Sequence, residues 1–168
     1  TGEGLNATIE TPPSYGKYHY DGHRICNFSC SPEETKKLNG ICPVCKTPLT
    51  IGVDYRVEQL AKSPKGYKPA NTKEFYELIP LHELISINFS TPLESKSSWA
   101  IYNSLIEKFQ NELNILLHAQ KEEFQKNEVN PKLTELIFLA RQNKLKLKPG
   151  YDGTYGKVIL PESQTRLF

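Results

Sequence analysis

The sequence predicts an α+β fold: a small cysteine-bearing module, then a mainly α-helical domain that ends in a β-hairpin. Three observations predict it. All four cysteines fall within residues 26–45, and one pair forms the tight turn Cys42-Pro43-Val44-Cys45. Apolar residues recur every three or four positions across residues 99–118. Residues 144–148 alternate lysine and leucine strictly and lead into a glycine-rich turn.

The 168 residues suffice for one domain or two small ones. A hydrophobic share of 38% and a charged share of 24% are ordinary for a globular protein. No apolar run is long enough to span a bilayer and no signal-peptide pattern is present, so the expected location is the cytoplasm, with no membrane partner. A formal net charge of +2 argues neither for nor against nucleic acid, so only local clusters speak to that. The chain begins at Thr1 and contains no methionine, which reads as a fragment of a longer protein.

Residues 1–16 read as the end of a preceding domain, with a helix-ending glycine and a strand over residues 6–11. Pro12, Pro13 and Gly16 mark the boundary. A module over residues 17–62 follows, opened by a short strand at 17–20. Ser31-Pro32-Glu33-Glu34 starts a helix, with Ser31 as cap, Pro32 at the first position and Glu34 reaching back; Asn39-Gly40 suits its left-handed end. Residues 49–53 read as a strand and 54–62 as a helix with Val57, Leu60 and Ala61 on one face.

The second domain is expected over residues 63–168. Residues 63–73 form a loop with lysines around Tyr67, on composition a solvated linker. Residues 75–89 divide at Pro80 into an extended piece and a helix from Leu81, on which His82 is a surface or partly buried histidine rather than a ligand. A polar connector, 91–98, leads to the strongest helix, 99–118. Its stripe of Tyr102, Leu105, Ile106, Phe109, Leu113 and Leu116, with Trp99, is assigned to the core. Residues 122–127 add a turn or two. Asn130-Pro131 opens the next helix, with Leu133, Leu136, Ile137 and Ala140 facing inward, ending near Asn143. Strands at 144–148 and 157–160 flank the glycine-rich tip, and the last residues are expected to be loose. No internal repeat is present.

Four cysteines in so short a stretch suit either two disulfides or a metal. Nothing indicates an oxidising compartment, and the Cys-x-x-Cys spacing beside a histidine favours metal. Zinc takes four soft or borderline ligands in a tetrahedron, and two short turns can supply them. Cys42 and Cys45 form one turn. For the other, Cys26 pairs either with His23, a His-x-x-Cys turn of matching spacing, or with Cys30. His19 lies further out. Fifteen residues separate Cys26 from Cys42, within the range of a zinc ribbon. The His23, Cys26, Cys42, Cys45 set is preferred, with Cys30 as the alternate fourth ligand. No carboxylate base accompanies the cluster, so the zinc-ribbon-like module is expected to be structural.

Three stretches together resemble endonuclease Q and its relatives, proteins with an N-terminal polymerase-and-histidinol-phosphatase (PHP) domain. They are Lys17-Tyr18-His19-Tyr20-Asp21-Gly22-His23-Arg24 with Cys26, then Ile41-Cys42-Pro43-Val44-Cys45-Lys46 with Pro48 to Val53, and Pro149-Gly150-Tyr151-Asp152-Gly153 with Tyr155-Gly156-Lys157-Val158. The resemblance runs over residues 4–160. It implies a DNA-repair endonuclease that nicks on the 5′ side of hypoxanthine, uracil or xanthine, with catalytic divalent metals in the PHP domain and only that domain's last strand in residues 1–16. This chain would then be a portion that holds DNA rather than one that cleaves it. Some relatives carry a cysteine where His23 stands. Cys30, Lys46 (a glycine in relatives) and residues 54–57 depart from the pattern.

On that resemblance Arg24, Lys148, Tyr151, Asp152, Gly153, Tyr155, Gly156 and Lys157 are candidate DNA or base contacts. The tyrosines would stack on a flipped base, the glycines would permit close approach, and the cations, with Lys144 and Lys146, would meet phosphates. From composition alone the tip is a structural turn and the lysines a solvated strand face. The competing functional reading is a zinc-ribbon interaction module that docks the PHP domain or a helicase partner without touching DNA.

Overall fold

The computed structural model describes residues 4–159. Its elements are β1 (Ala7–Glu10), β2 (Asp21–His23), β3 (Phe28–Cys30), α1 (Pro32–Lys37), α2 (Val53–Leu60), β4 (Glu74–Glu77), α3 (Leu81–Phe89), α4 (Lys96–Phe109), α5 (Lys121–Lys126), α6 (Pro131–Arg141), β5 (Lys146–Lys148) and β6 (Lys157–Ile159). The mixed α+β class agrees with the sequence. The expected loose end falls on residues 160–168, outside the described residues, as does the end of the strand expected over 157–160.

Two compact units form. Among the described residues the first takes 4–6, 12–74 and 146–159, and the second takes Ala7–Thr11 and Phe75–Leu145. The first is built from two antiparallel hairpins. In one, β2 pairs with β3, Asp21 opposite Cys30 and His23 opposite Phe28. In the other, β5 pairs with β6, Lys146 opposite Ile159 and Lys148 opposite Lys157. A small core of Cys30, Cys42 and Leu49, with Cys26, Phe28 and Leu38 against it, fills the module. The α1 helix has the full capping box: the Ser31 hydroxyl accepts from the Glu34 amide, and the Glu34 carboxylate accepts from the Ser31 amide. It ends on the left-handed residues Asn39 and Gly40.

In the second unit, β1 pairs with β4. Helices α3 to α6 bury Leu81, Leu84, Ile85, Leu105, Phe109, Phe124, Leu133, Leu136 and Ile137. Asn130 caps α6, accepting from the Lys132 and Leu133 amides, with Pro131 at the first position.

Three local expectations are corrected. Residues 17–20 are a turn, since the Tyr20 amide donates to the Gly150 carbonyl and the chain folds onto the glycine-rich tip instead of extending. Residues 49–53 make only a bridge, Thr50 to Gly22, because the Asp21 carboxylate takes the Gly52 amide at 2.6 Å and Gly52 becomes the cap of α2. The helix expected over 99–118 starts earlier, at a Ser95 cap, and breaks at Gln110, whose φ is 75°. There the Asn111 side chain accepts from the Asn114 amide, the Asn114 side chain donates to the Phe109 carbonyl, and Asn114–His118 continues as a π turn. This break turns Leu113 outward, and Trp99 is 45% exposed, lying over His82 and edge-on to Tyr102, so neither belongs to the core. The helix expected over 54–62 forms as α2, whose apolar face is uncovered: it has no buried residue, and Val57 and Leu60 face solvent.

Candidate metal centre and adjoining surface

Two turns carry the ligand groups. His23 ends β2 in extended geometry, and a 3-10 turn, Arg24–Cys26, follows it. Asn27, left-handed at φ 49°, then reverses the chain into β3. The second turn is closed by backbone. The Lys46 amide donates to the Cys42 carbonyl at 3.0 Å and the Cys42 amide to the Thr47 carbonyl at 2.8 Å. Lys46 sits at φ 63°, in the region where glycine is at ease, which gives a physical reason for glycine at this position in the relatives.

These turns bring one ligand atom each from His23, Cys26, Cys42 and Cys45 within 4.8 Å of one another. Cys45 Sγ lies 3.1 Å from His23 Nδ1. A tetrahedron with metal–ligand bonds of about 2.0–2.3 Å has ligand separations just under 4 Å, so this three-sulfur, one-nitrogen set could hold a four-coordinate ion. Cys30 lies apart from the set. Its thiol is buried in the module core, 3.2 Å from the Thr35 hydroxyl. His19 stacks on Tyr20 instead. All four cysteines are free of disulfides.

The surroundings favour thiolate at Cys45 and Cys42. The Thr47 hydroxyl and amide hydrogen-bond the Cys45 sulfur and, against a desolvation cost, bring that thiol down to about 6. Burial opposes ionisation at Cys42, yet the amides of Cys45 and Val44 and the His23 ring outweigh it and lower its pKa. Cys26 responds in the opposite sense: hydrogen bonding to Cys45 and desolvation push it up to about 11. Hydrogen bonding to Cys42 raises His23 despite partial desolvation.

The glycine-rich tip lies against the first of these turns. Asp152 accepts from the Arg24 amide at 2.6 Å through Oδ2 and from the Thr50 hydroxyl at 2.8 Å through Oδ1. Burial opposes ionisation of Asp152, but these two donors and the Arg24 charge hold its carboxyl below the usual range. Tyr151 is only 4% exposed, and its hydroxyl donates to Asn27 Oδ1 at 2.9 Å. Gly156 packs on the backbone of Ser14 and Tyr15, and Gly150 on that of Gly16. Tyr151 and Gly156, two of the candidate contacts, are thus buried, and half-buried Asp152 has both carboxylate oxygens engaged in seating the tip.

Other candidates do face outward. Tyr155 is 65% exposed, Arg24 is exposed, and Lys148 opposes Lys157 with both side chains in solvent. Lys144 and Lys146 are also exposed. A Cβ at Gly153, itself at φ 85°, would lie 3.4 Å from the Arg24 guanidinium and 3.8 Å from the Tyr18 hydroxyl. Lys17 Nζ lies 5.9 Å from the Tyr18 ring and 5.6 Å from the Tyr155 ring. Lys17 and Tyr18 thus join this surface, which sequence reasoning missed because only the fold brings residues 17–18 beside residue 155. Thr47, the hydroxyl at Cys45, was missed too, although a hydroxyl two residues after a ligand cysteine was a usable signal.

Comparison with known proteins places this arrangement. The model of the family described as "MJ0043 C-terminal domain" matches residues 80–144. The uncharacterized protein MJ0043 of Methanocaldococcus jannaschii is 35% identical over 146 residues, covering 87% of this chain and 18% of that protein. The uncharacterized protein YqxK of Bacillus subtilis is 29% identical over 147 residues, covering 87% and 33%. The crystal structure of the lesion-specific endonuclease PfuEndoQ from Pyrococcus furiosus aligns over 95% of this chain with a TM-score of 0.79 and 26% identity. A structure of Endonuclease Q in complex with a 27-mer duplex substrate, with an abasic lesion at the active site, aligns over 96% with a TM-score of 0.80.

The chain is endonuclease Q-like. It spans 39–40% of the length of those endonuclease Q chains. The likeness to endonuclease Q covers both compact units, whereas the family-model match falls within the helical one. Among the described residues no helix is long and apolar enough to cross a membrane.

Proposed function

We propose that this chain is the DNA-holding portion of a cytoplasmic DNA-repair endonuclease. In this reading residues 1–16 end a PHP domain, 17–62 form a zinc module and 63–168 a helical domain, although the closing hairpin packs in the same compact unit as the zinc module. The likeness to Endonuclease Q bound to a 27-mer duplex substrate carries the proposal. The intact enzyme would nick DNA 5′ of deaminated bases such as hypoxanthine, uracil or xanthine, with its catalytic divalent metals held in the PHP domain.

His23, Cys26, Cys42 and Cys45 would hold zinc in a closed, structural site. When bound, the ion supplies folding free energy to a module with too little core of its own. The DNA surface would comprise Arg24, Gly153, Tyr155, Lys148 and Lys157, joined by Lys17 and Tyr18. Cations at the edge of an exposed tyrosine suit a phosphate beside an unstacked base. The test is binding of the chain to single-stranded and uracil-containing DNA at low salt, alongside a nicking assay on deaminated duplexes with the full-length protein. Absence of binding sinks the DNA-facing role, and absence of nicking sinks the repair role.

One observation favours the docking alternative. The outward apolar residues Val53, Val57 and Leu60 of α2 suit a protein surface, such as a PHP domain, better than a phosphate backbone. If Val57→Asp abolishes association with the PHP domain while DNA binding by the chain is absent in every variant, docking is the better account.

A further inference from the structure

We infer that Tyr151 and Asp152 are positioning residues for the metal ligands, so that the glycine-rich tip and the metal centre stabilise each other. The inference rests on the metal-binding reading of the four-residue cluster.

The geometry that points to it is a two-sided grip. The turn that carries His23 and Cys26 is held immediately after each of them. Asp152 Oδ2 takes the Arg24 amide at 2.6 Å, and the Tyr151 hydroxyl donates to Asn27 Oδ1 at 2.9 Å. Asn27 is the left-handed residue at φ 49° where the chain reverses, so a bond to its side chain fixes the point at which the turn would otherwise unwind. Asp152 Oδ1 also accepts from Thr50, which pairs with Gly22 through reciprocal backbone bonds of 2.8 and 3.0 Å. That bond ties the first ligand turn to the segment leaving the second. The tip itself supplies no ligand and is seated by backbone bonds, Gly153 amide to Lys17 carbonyl and Tyr20 amide to Gly150 carbonyl, both 2.9 Å.

Groups that orient ligands without touching the ion change metal affinity by about 10–100-fold when removed. By reciprocity, an ion that favours this turn geometry also favours the seated tip. Half-buried Gly153 and solvent-facing Tyr155 of the tip are then placed by a metal they do not contact.

The test uses the full 168-residue chain loaded with zinc, its stoichiometry measured first, and follows zinc release to a chromophoric chelator. Asp152→Ala and Tyr151→Phe are expected to release zinc about 10–100-fold faster than the parent. Asp152→Asn, which keeps one carbonyl acceptor, falls between. Thr50→Val, which removes one bond and no ligand-turn contact, gives a smaller acceleration and carries the test if the stronger variants do not fold. Leu147→Ala, which loosens the hairpin stem away from the turn, serves as control and stays near the parent rate. Parent-like release in all Tyr151, Asp152 and Thr50 variants overturns the inference while leaving the metal site standing. So does an equal acceleration in Leu147→Ala, which would mean general loosening. A parent chain that takes up no zinc overturns both readings.

Discussion

The ring of Tyr151 lies flat against Gly22, 129 positions earlier, so closely that a methyl group at residue 22 would collide with Tyr151 Cδ2. The same methyl would stand 2.8 Å from the Phe28 carbonyl oxygen, in the facing strand. Gly22→Ala is therefore expected to destabilise the first unit by about 3 kcal/mol, at the upper end of overpacking costs. Thermal unfolding of the zinc-loaded protein measures this, and an unchanged midpoint would show that the tip yields easily.

Zinc should be lost on His23→Ala and on Cys42→Ser, and kept by Cys30→Ala, because the Cys30 thiol faces the Thr35 hydroxyl and the module core. Metal analysis after gel filtration decides it. Loss of zinc in Cys30→Ala alone would reinstate the four-cysteine scheme.

Removing zinc with a chelator should unravel the first unit and spare most of the helical signal, since the second unit has a core of its own. Near- and far-ultraviolet circular dichroism separate the two. A simultaneous collapse of both signals would contradict the division.

Acid should release the metal. In the metal-free fold the Cys45 thiol is lowered to about 6, so the stability it contributes is fully present above the ordinary thiol range and is lost as pH falls through about 6; bound zinc competes with the proton and moves release to lower pH. Thr47→Val removes the largest cause of that depression and should move the midpoint of zinc release to higher pH. A titration with a zinc-responsive dye follows it, and an unmoved midpoint would count against the Thr47 hydroxyl as the cause.

Lys46→Gly should raise the unfolding free energy by on the order of 1 kcal/mol, because a side chain at φ 63° carries a left-handed penalty that glycine lacks. Chemical denaturation is the measurement, and a destabilised variant would mean that the lysine makes a compensating contact.

Much of this architecture is written in short-range pattern. The Ser31-Pro32-Glu33-Glu34 start of α1 and the Asn130-Pro131 start of α6 are legible because a cap is satisfied within three residues. The break at Gln110 was hidden because the apolar spacing runs on through it, while Asn111 and Asn114 divert the backbone with side-chain bonds that periodicity does not register. Trp99 and Leu113 were misassigned to the core for a related reason: helical spacing reports that a face is apolar, not that anything covers it.

The sequence by itself determined the α+β class, the helix caps and the two ligand turns with their spacing, because each depends on residues a few positions apart. Only the tertiary structure brings His23 rather than Cys30 beside Cys26, Cys42 and Cys45, and decides which tip residues seat the hairpin rather than face solvent. The first rests on a contact between His23 and Cys45, 22 residues apart, and the second on contacts between segments more than a hundred residues apart, such as Arg24 with Asp152 and Asn27 with Tyr151. Two tyrosines four positions apart in one motif, Tyr151 and Tyr155, thereby have opposite fates. One is buried on a glycine and the other is left to solvent.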